Sequence, residues 1–275
     1  MSRRSGRTES FRGVAAVTPY TGRLLPSICA VSYLNSTPLL WGLLHGPQRG
    51  SALVELALPS VCAVRLQTGA ADVGLVPSIE LNRQRLRPVA GLGIASGGAV
   101  RSILLLSKVP FSKIRTLAAD SSSRTSVMLA RLILAQRFGV QPTLHAAAPE
   151  YSSMLRNADA ALIIGDPALR IVPEALGYEW LDLGYEWGQL TGLPMVFAVW
   201  AAREDAADCE AMLDQSYRYG QQHWPQIIAT ESAARGFDRE LVANYFTQHI
   251  RYEIGPRQQK GLDLFLQMAR PLDSA

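Results

Sequence analysis

The chain of 275 residues has little cysteine and little histidine. Cys29, Cys62 and Cys209 stand far apart and form no CxxC pair, which excludes a zinc ribbon and a disulfide framework. His45, His145, His223 and His249 show no ligand spacing, and HExxH is absent, so no metal site is expected. A Walker sequence, a GxSxG elbow and an EF-hand loop are also missing. The run from Gly91 to Ser96 opens like a dinucleotide fingerprint. Ser96 stands where the last glycine belongs, and the flanks read as strands with no helix following. No cofactor is therefore expected. No apolar run reaches the roughly 18 residues of a spanning helix, so no membrane span is expected either.

Charge is equally informative by where it is lacking. The net charge is +4. Arg3, Arg4, Arg7, Arg12 and Arg23 against Glu9 place all of that excess in residues 1–23, and the remainder is balanced. A basic groove for nucleic acid is not indicated. Residues 1–23, rich in Arg, Ser, Thr and Gly, read as a basic flexible tail. Its longest apolar stretch, Val14 to Val17, is too short for the core of a secretory signal, so a cytoplasmic protein is expected. A transit peptide or a contact with an anionic surface is the alternative for the tail.

Hydrophobic residues make up 48% of the chain, enough for a large core. From Leu24 the pattern is regular. A buried strand over 25–34 leads through Asn35-Ser36-Thr37-Pro38 into a helix that stops at Gly46-Pro47. Strand 53–58, a helix ending near Gly69 and strand 72–76 follow, which predicts an α/β layer with parallel strands. Runs 89–95 and 100–107 are β-like. The grammar then repeats, with strand 117–120, helix 127–138, strand 159–164 and strand 195–200. Three helices are expected near 206–223, 238–249 and 256–269. The chain thus reads as two lobes, 24–106 plus 201–275 and 107–200, crossing near Ser107 and Trp200, with a ligand cleft between them.

Hydroxyl, amide and glycine clusters mark the strand ends. They are Asn35-Ser36-Thr37, Pro77-Ser78, Ser96-Gly97-Gly98 with Ser102 close behind, Ser121 to Ser126 around Arg124, and Gly165-Asp166. Helix N-termini offer unpaired N–H groups and a positive dipole end, which suit carboxylates and phosphates. Taken singly, each cluster is explained as helix capping: Asn35, Ser36, Thr125 and Ser126 could cap, Asp166 could cap the segment after Pro167, and Arg124 could be solvated. Their recurrence at strand ends favours a pocket for a small anion.

Four of these clusters lie in five ordered segments that resemble the chorismate dehydratase family of the futalosine branch of menaquinone biosynthesis. They are VSYLNSTPL (31–39), GLVPSIE (74–80), SSSRTSV (121–127), DAALIIGDPAL (159–169), and DLGYEW (182–187) with TGLPMVFAVW (191–200). The resemblance runs from about 28 to 203. It implies the two-lobed α/β fold of type II periplasmic binding proteins, used as an enzyme, and dehydration of chorismate to 3-[(1-carboxyvinyl)oxy]benzoate. The family's catalytic Asn falls on Asn35 and its Ser on Ser102. This chain carries Arg101 where the family commonly has an apolar residue.

Chorismate is a dianion, and loss of the C3 proton and the C4 hydroxyl aromatises its ring. The expected substrate-binding residues are Ser36, Ser78, Ser96, Gly98, Arg124, Thr125, Ser126, Gly165 and Asp166. Asn35 and Ser102 are expected to position the ring and to donate to developing charge. The base is a carboxylate of the substrate, or else Asp166 or Glu80. The rival readings are the sister 1,4-dihydroxy-6-naphthoate synthase, for which a cleft histidine is expected, and a non-catalytic cytosolic small-anion binding or sensing protein. A small-molecule substrate, no nucleic acid and no membrane are expected, and the oligomeric state stays open.

Overall fold

The computed structural model describes residues 25–273 except 121, 205 and 207. The basic tail and part of the 121–126 cluster fall outside these residues. In chain order the first elements are β1 (Ser27–Val31), α1 (Thr37–His45), β2 (Leu53–Ala57), α2 (Pro59–Gln67), β3 (Val73–Pro77), α3 (Glu80–Arg83) and β4 (Leu86–Ser96). Next come β5 (Ile103–Ser107), β6 (Thr116–Asp120), α4 (Arg124–Phe138), β7 (Thr143–Ala147), α5 (Tyr151–Asn157), β8 (Ala160–Ile164), α6 (Gly165–Leu169), β9 (Glu179–Asp182) and α7 (Leu183–Thr191). The chain ends with β10 (Met195–Arg203), α8 (Glu210–Gln222), α9 (Trp224–Arg235), α10 (Arg239–Asn244), a π-helical turn Tyr245–His249, β11 (Arg251–Glu253) and α11 (Pro256–Asp273).

Two mixed sheets result. The first runs β11-β4-β10-β3-β1-β2, with β1 parallel to β2 and β3, and β10 antiparallel to β3 and β4. The second runs β7-β6-β8-β5-β9, with β6 parallel to β7 and β8, and β5 antiparallel to β8 and β9. The expected parallel strand–helix units are present in both lobes. The crossings lie earlier than expected. Ile103–Ser107 pairs along its length with β8, and Met195–Arg203 pairs with β3 and β4. The chain therefore crosses within 97–102 and returns within 192–194, instead of near Ser107 and Trp200. The reason is physical: β5 and the crossing ends of β4 and β10 are buried on both faces, so apolar character cannot say which sheet a strand joins.

Alternation divides the second sheet's faces. Leu105, Leu117, Leu162 and Ile164 join the large core shared with the first sheet, while Leu104, Leu106, Ala161 and Ile163 form a smaller core under α5 and α6. On the first lobe, α1 buries Leu39, Leu40, Trp41 and Leu43, each worth roughly 1.5–3 kcal/mol as an aliphatic or aromatic side chain removed from water. Cys29 of β1 and Cys62 of α2 are free thiols that meet at 3.3 Å inside this layer. The three helices expected after residue 205 are four, since Trp224–Arg235 forms α9 as a separate helix. Among the described residues no helix is long and apolar enough to cross a membrane.

α1 and α8 cross where side chains are smallest. A Cβ on Gly220 would lie 2.2 Å from the Pro38 carbonyl oxygen, and one on Gly42 would lie 2.5 Å from the Ser216 backbone. Ser216 also donates to the Leu39 carbonyl at 2.8 Å. Gly220→Ala is expected to force the helices apart and lower the unfolding free energy by about 1–3 kcal/mol, measured by urea denaturation. Unchanged stability would mean that the helices do not approach so closely.

Candidate active site

The crossing segments and strand ends enclose a cavity of about 50 Å³ between the two sheets. Asn35, Ser102, Ser126 and Gly165 of the expected site residues line it. Tyr33, Ser123 and the apolar side chains of Ile94, Ile164 and Phe197 complete much of the wall. No charged side chain and no histidine is among these lining residues.

Asn35 sits in a short 3-10 turn, Leu34–Ser36, between β1 and α1. Its Oδ1 is buried and has no hydrogen-bond partner, and the residue lines the cleft. Ser102 ends the crossing loop just before β5, and its Oγ accepts a hydrogen bond from the Tyr245 hydroxyl at 2.7 Å. Tyr245 opens the π-helical turn and is only 2% exposed. Burial pushes its ionisation far above the ordinary phenol range, so it stays a neutral donor.

The start of α4 forms the opposite wall. Ser123 caps this helix: its Oγ accepts the Ser126 N–H at 3.4 Å and donates to Ser126 Oγ at 2.7 Å. The cap is thus neither Thr125 nor Ser126, the two residues the sequence offers for it. Thr125 is fully buried and instead accepts the Ile79 N–H at 3.2 Å, tying the two lobes. Arg124 pairs with Glu80 at 2.9 Å, also across the lobes. Burying Glu80 at 1% exposure requires such partners, and Arg83 and Gln84 supply two more.

Gly165 has φ +64, and a Cβ there would meet the Tyr33 ring at 2.8 Å. Only glycine lets this backbone lie against Tyr33. The Gly165 N–H donates to the Ser102 carbonyl at 2.8 Å. Asp166 lies within α6 and caps nothing. Its carboxylate accepts the Leu34 N–H at 2.9 Å and the Arg235 guanidinium at 2.5 Å.

The remaining expected residues serve the frame. Ser36 turns its hydroxyl back to the carbonyls of Val31 and Tyr33, because the 3-10 turn leaves those acceptors within reach, and it does not cap α1. Ser96 bonds the Gly98 carbonyl at 2.7 Å and receives the Gly98 N–H at 3.2 Å, bracing the crossing loop. Ser78 is fully buried behind Pro77, with an unpartnered hydroxyl. Sequence reasoning misses Tyr33 and Tyr245 as site residues, and it marks Ser123 only as part of the 121–126 cluster. Tyr33 and Ser123 stand inside the family-like segments, which is the signal that could have found them. Tyr245 carries no sequence signal, since its meeting with Ser102 spans most of the chain.

The crossing loop is held under strain. Arg101 has φ +67, a conformation costly for a residue with a Cβ. Asp182 supports it by accepting the N–H groups of Val100 at 2.9 Å and Arg101 at 2.6 Å, while also capping α7 through Gly184 and Tyr185. The Arg101 guanidinium donates to the Ile171 carbonyl at 2.7 Å. The departure from the family pattern at this position is therefore a contact within the second lobe.

Two sheets joined by crossing strands, with a small neutral cleft at strand ends and helix N-termini, define a two-lobed protein of the periplasmic-binding-protein type. The structure resembles an X-ray structure of a protein from Archaeoglobus fulgidus, with TM-score 0.70 and 15% identity, covering 91% of this chain and 98% of that one. It also resembles the periplasmic aliphatic sulphonate binding protein SsuA from Escherichia coli, with TM-score 0.61 and 16% identity, covering 90% and 86%. The chain belongs to the menaquinone biosynthesis family, which it matches over residues 26–271. It is 26% identical to the chorismate dehydratase of Thermus thermophilus over 235 residues, 76% of this chain and 83% of that protein.

Asp182→Asn keeps Oδ1, the acceptor for Val100, Gly184 and Tyr185, but sets an amide donor against the Arg101 N–H that Oδ2 now accepts. It is expected to lower the unfolding free energy by about 1–3 kcal/mol in denaturant titration. A variant as stable as the parent would mean that Asp182 does not hold the strained loop.

Proposed function

We propose that this chain is a chorismate dehydratase, converting chorismate to 3-[(1-carboxyvinyl)oxy]benzoate and water in the cytoplasm. The observation that carries the reading is the meeting of Asn35 and Ser102, from different lobes, at one cleft in a chain of the menaquinone biosynthesis family. Its similarity to the Thermus thermophilus chorismate dehydratase names the substrate. The buried thiols of Cys29 and Cys62, unbridged at 3.3 Å, fit a reducing compartment.

The start of α4, with Ser123 and Ser126, would receive one carboxylate of the dianion. A neutral lining suits such a ligand, because dipoles and N–H groups hold the anion without a fixed charge that would retain the product. Asn35 and Ser102 would position the ring and donate to the charge that develops as the C3–H bond breaks. The electron pair of that bond forms the new ring double bond. The C4–O bond breaks, and the departing hydroxide takes up a proton as water.

The base in this reading is a carboxylate of the substrate. The two protein carboxylates that could replace it are engaged elsewhere. Asp166 holds Leu34 and Arg235, and Glu80 holds Arg83, Arg124 and Gln84. Freeing Glu80 would take from the half-buried Arg124 the carboxylate it pairs with, and freeing Asp166 would leave the Leu34 N–H without its acceptor. The absence of a histidine from the lining residues weighs against the sister naphthoate reaction.

Incubation with chorismate in EDTA, followed by liquid chromatography and mass detection, tests this. Loss of one water with an aromatic product spectrum is expected. Asn35→Ala is expected to lower kcat by roughly 100-fold or more while the melting temperature holds. Unchanged chorismate with a thermal shift would favour a binding protein, and full turnover by Asn35→Ala would remove its assigned role.

A further inference from the structure

The Ser102 hydroxyl carries one proton and two lone pairs, and what occupies the lone pairs decides where the proton points. The Tyr245 hydroxyl donates to Ser102 Oγ at 2.7 Å from the first-lobe side. The Asn35 side chain approaches the same phenol. One buried ring thus bonds Ser102 and lies near Asn35, from an element remote from either in sequence.

That element is unusual. Tyr245–His249 is a π-helical turn following α10, a rare geometry often found at functional sites. Both of its ends reach the crossing loop: Tyr245 at Ser102, and His249, whose Nδ1 donates to the Ala99 carbonyl at 2.9 Å. β11 follows directly and pairs with β4, with Arg251 opposite Ala95, so the turn is anchored to the first sheet next to the loop it grips. The loop itself is strained at Arg101 and needs such restraint.

We propose that Tyr245 is a positioning residue that, by donating to Ser102 Oγ, directs the Ser102 proton into the cleft and holds Ser102 against Asn35. A donor chain from Tyr245 through Ser102 to the substrate also polarises each bond in the series. The proposal rests on the dehydratase reading.

The test is a double-mutant cycle on chorismate turnover, using Tyr245→Phe, Ser102→Ala and both together. Tyr245→Phe keeps the ring and removes only the donor. It is expected to lower kcat by roughly 5- to 100-fold, the range for a buried hydrogen-bonding group left unpaired, with KM and the melting temperature little changed. In the Ser102→Ala background the same change is expected to have almost no further effect, because its route is gone. A purely structural role would lower kcat equally in both backgrounds, and that additivity would overturn the proposal. So would a fully active Tyr245→Phe. An unmodified protein inert to chorismate would overturn the dehydratase reading and this role together, whereas an active one with an unaffected Tyr245→Phe overturns the role alone.

Discussion

Asp166 is the junction on which the site depends. Its carboxylate, on the second lobe, takes the N–H of Leu34 and the guanidinium of Arg235, both on the first. Arg235 also donates to the Ser32 carbonyl at 3.1 Å and pairs with Glu231. The residue before Asp166, Gly165, lies against Tyr33 and donates to the Ser102 carbonyl. Two consecutive residues therefore set the turn that carries Asn35 and the backbone that carries Ser102. A charge removed this far from water is stable only when several partners meet it, and the geometry supplies them from both sides.

A second set of ties closes the far rim. Arg124 reaches Glu80, Thr125 accepts from Ile79, and the Ser60 N–H donates to the Ser122 carbonyl at 3.0 Å. Between the two rims the wall is neutral. Charge is thus placed where it holds the lobes together and kept away from where the ligand would sit. Each of these ties joins one lobe to the other, so moving the lobes apart would break them.

Much of this is legible in the sequence, and the failures share a cause. Strand–helix–strand units announce themselves through apolar runs bounded by Pro and Gly, Asn35 stands out by its place in an ordered set of motifs, and Ser102 is picked out by the family resemblance alone. Ser36, Arg124 and Thr125 are expected to bind substrate, yet their polar atoms bond within the frame. A hydroxyl's direction is decided by tertiary partners such as Ile79, which periodicity cannot name. The lobe crossings are misplaced because β5 and β10 are both strongly apolar. Tyr245 is invisible: a tyrosine on an amphipathic C-terminal helix reads as core, and its π-helical turn has no sequence mark.

The common thread is that residues of both lobes meet at one small neutral cleft. The most direct measurement is a crystal structure of the Asn35→Ala variant with chorismate. The account expects the ring beside Ser102, one carboxylate at the start of α4, and Asp166 still joined to Leu34 and Arg235. Chorismate bound outside the cleft, or bound within it with both carboxylates turned away from α4, would contradict it.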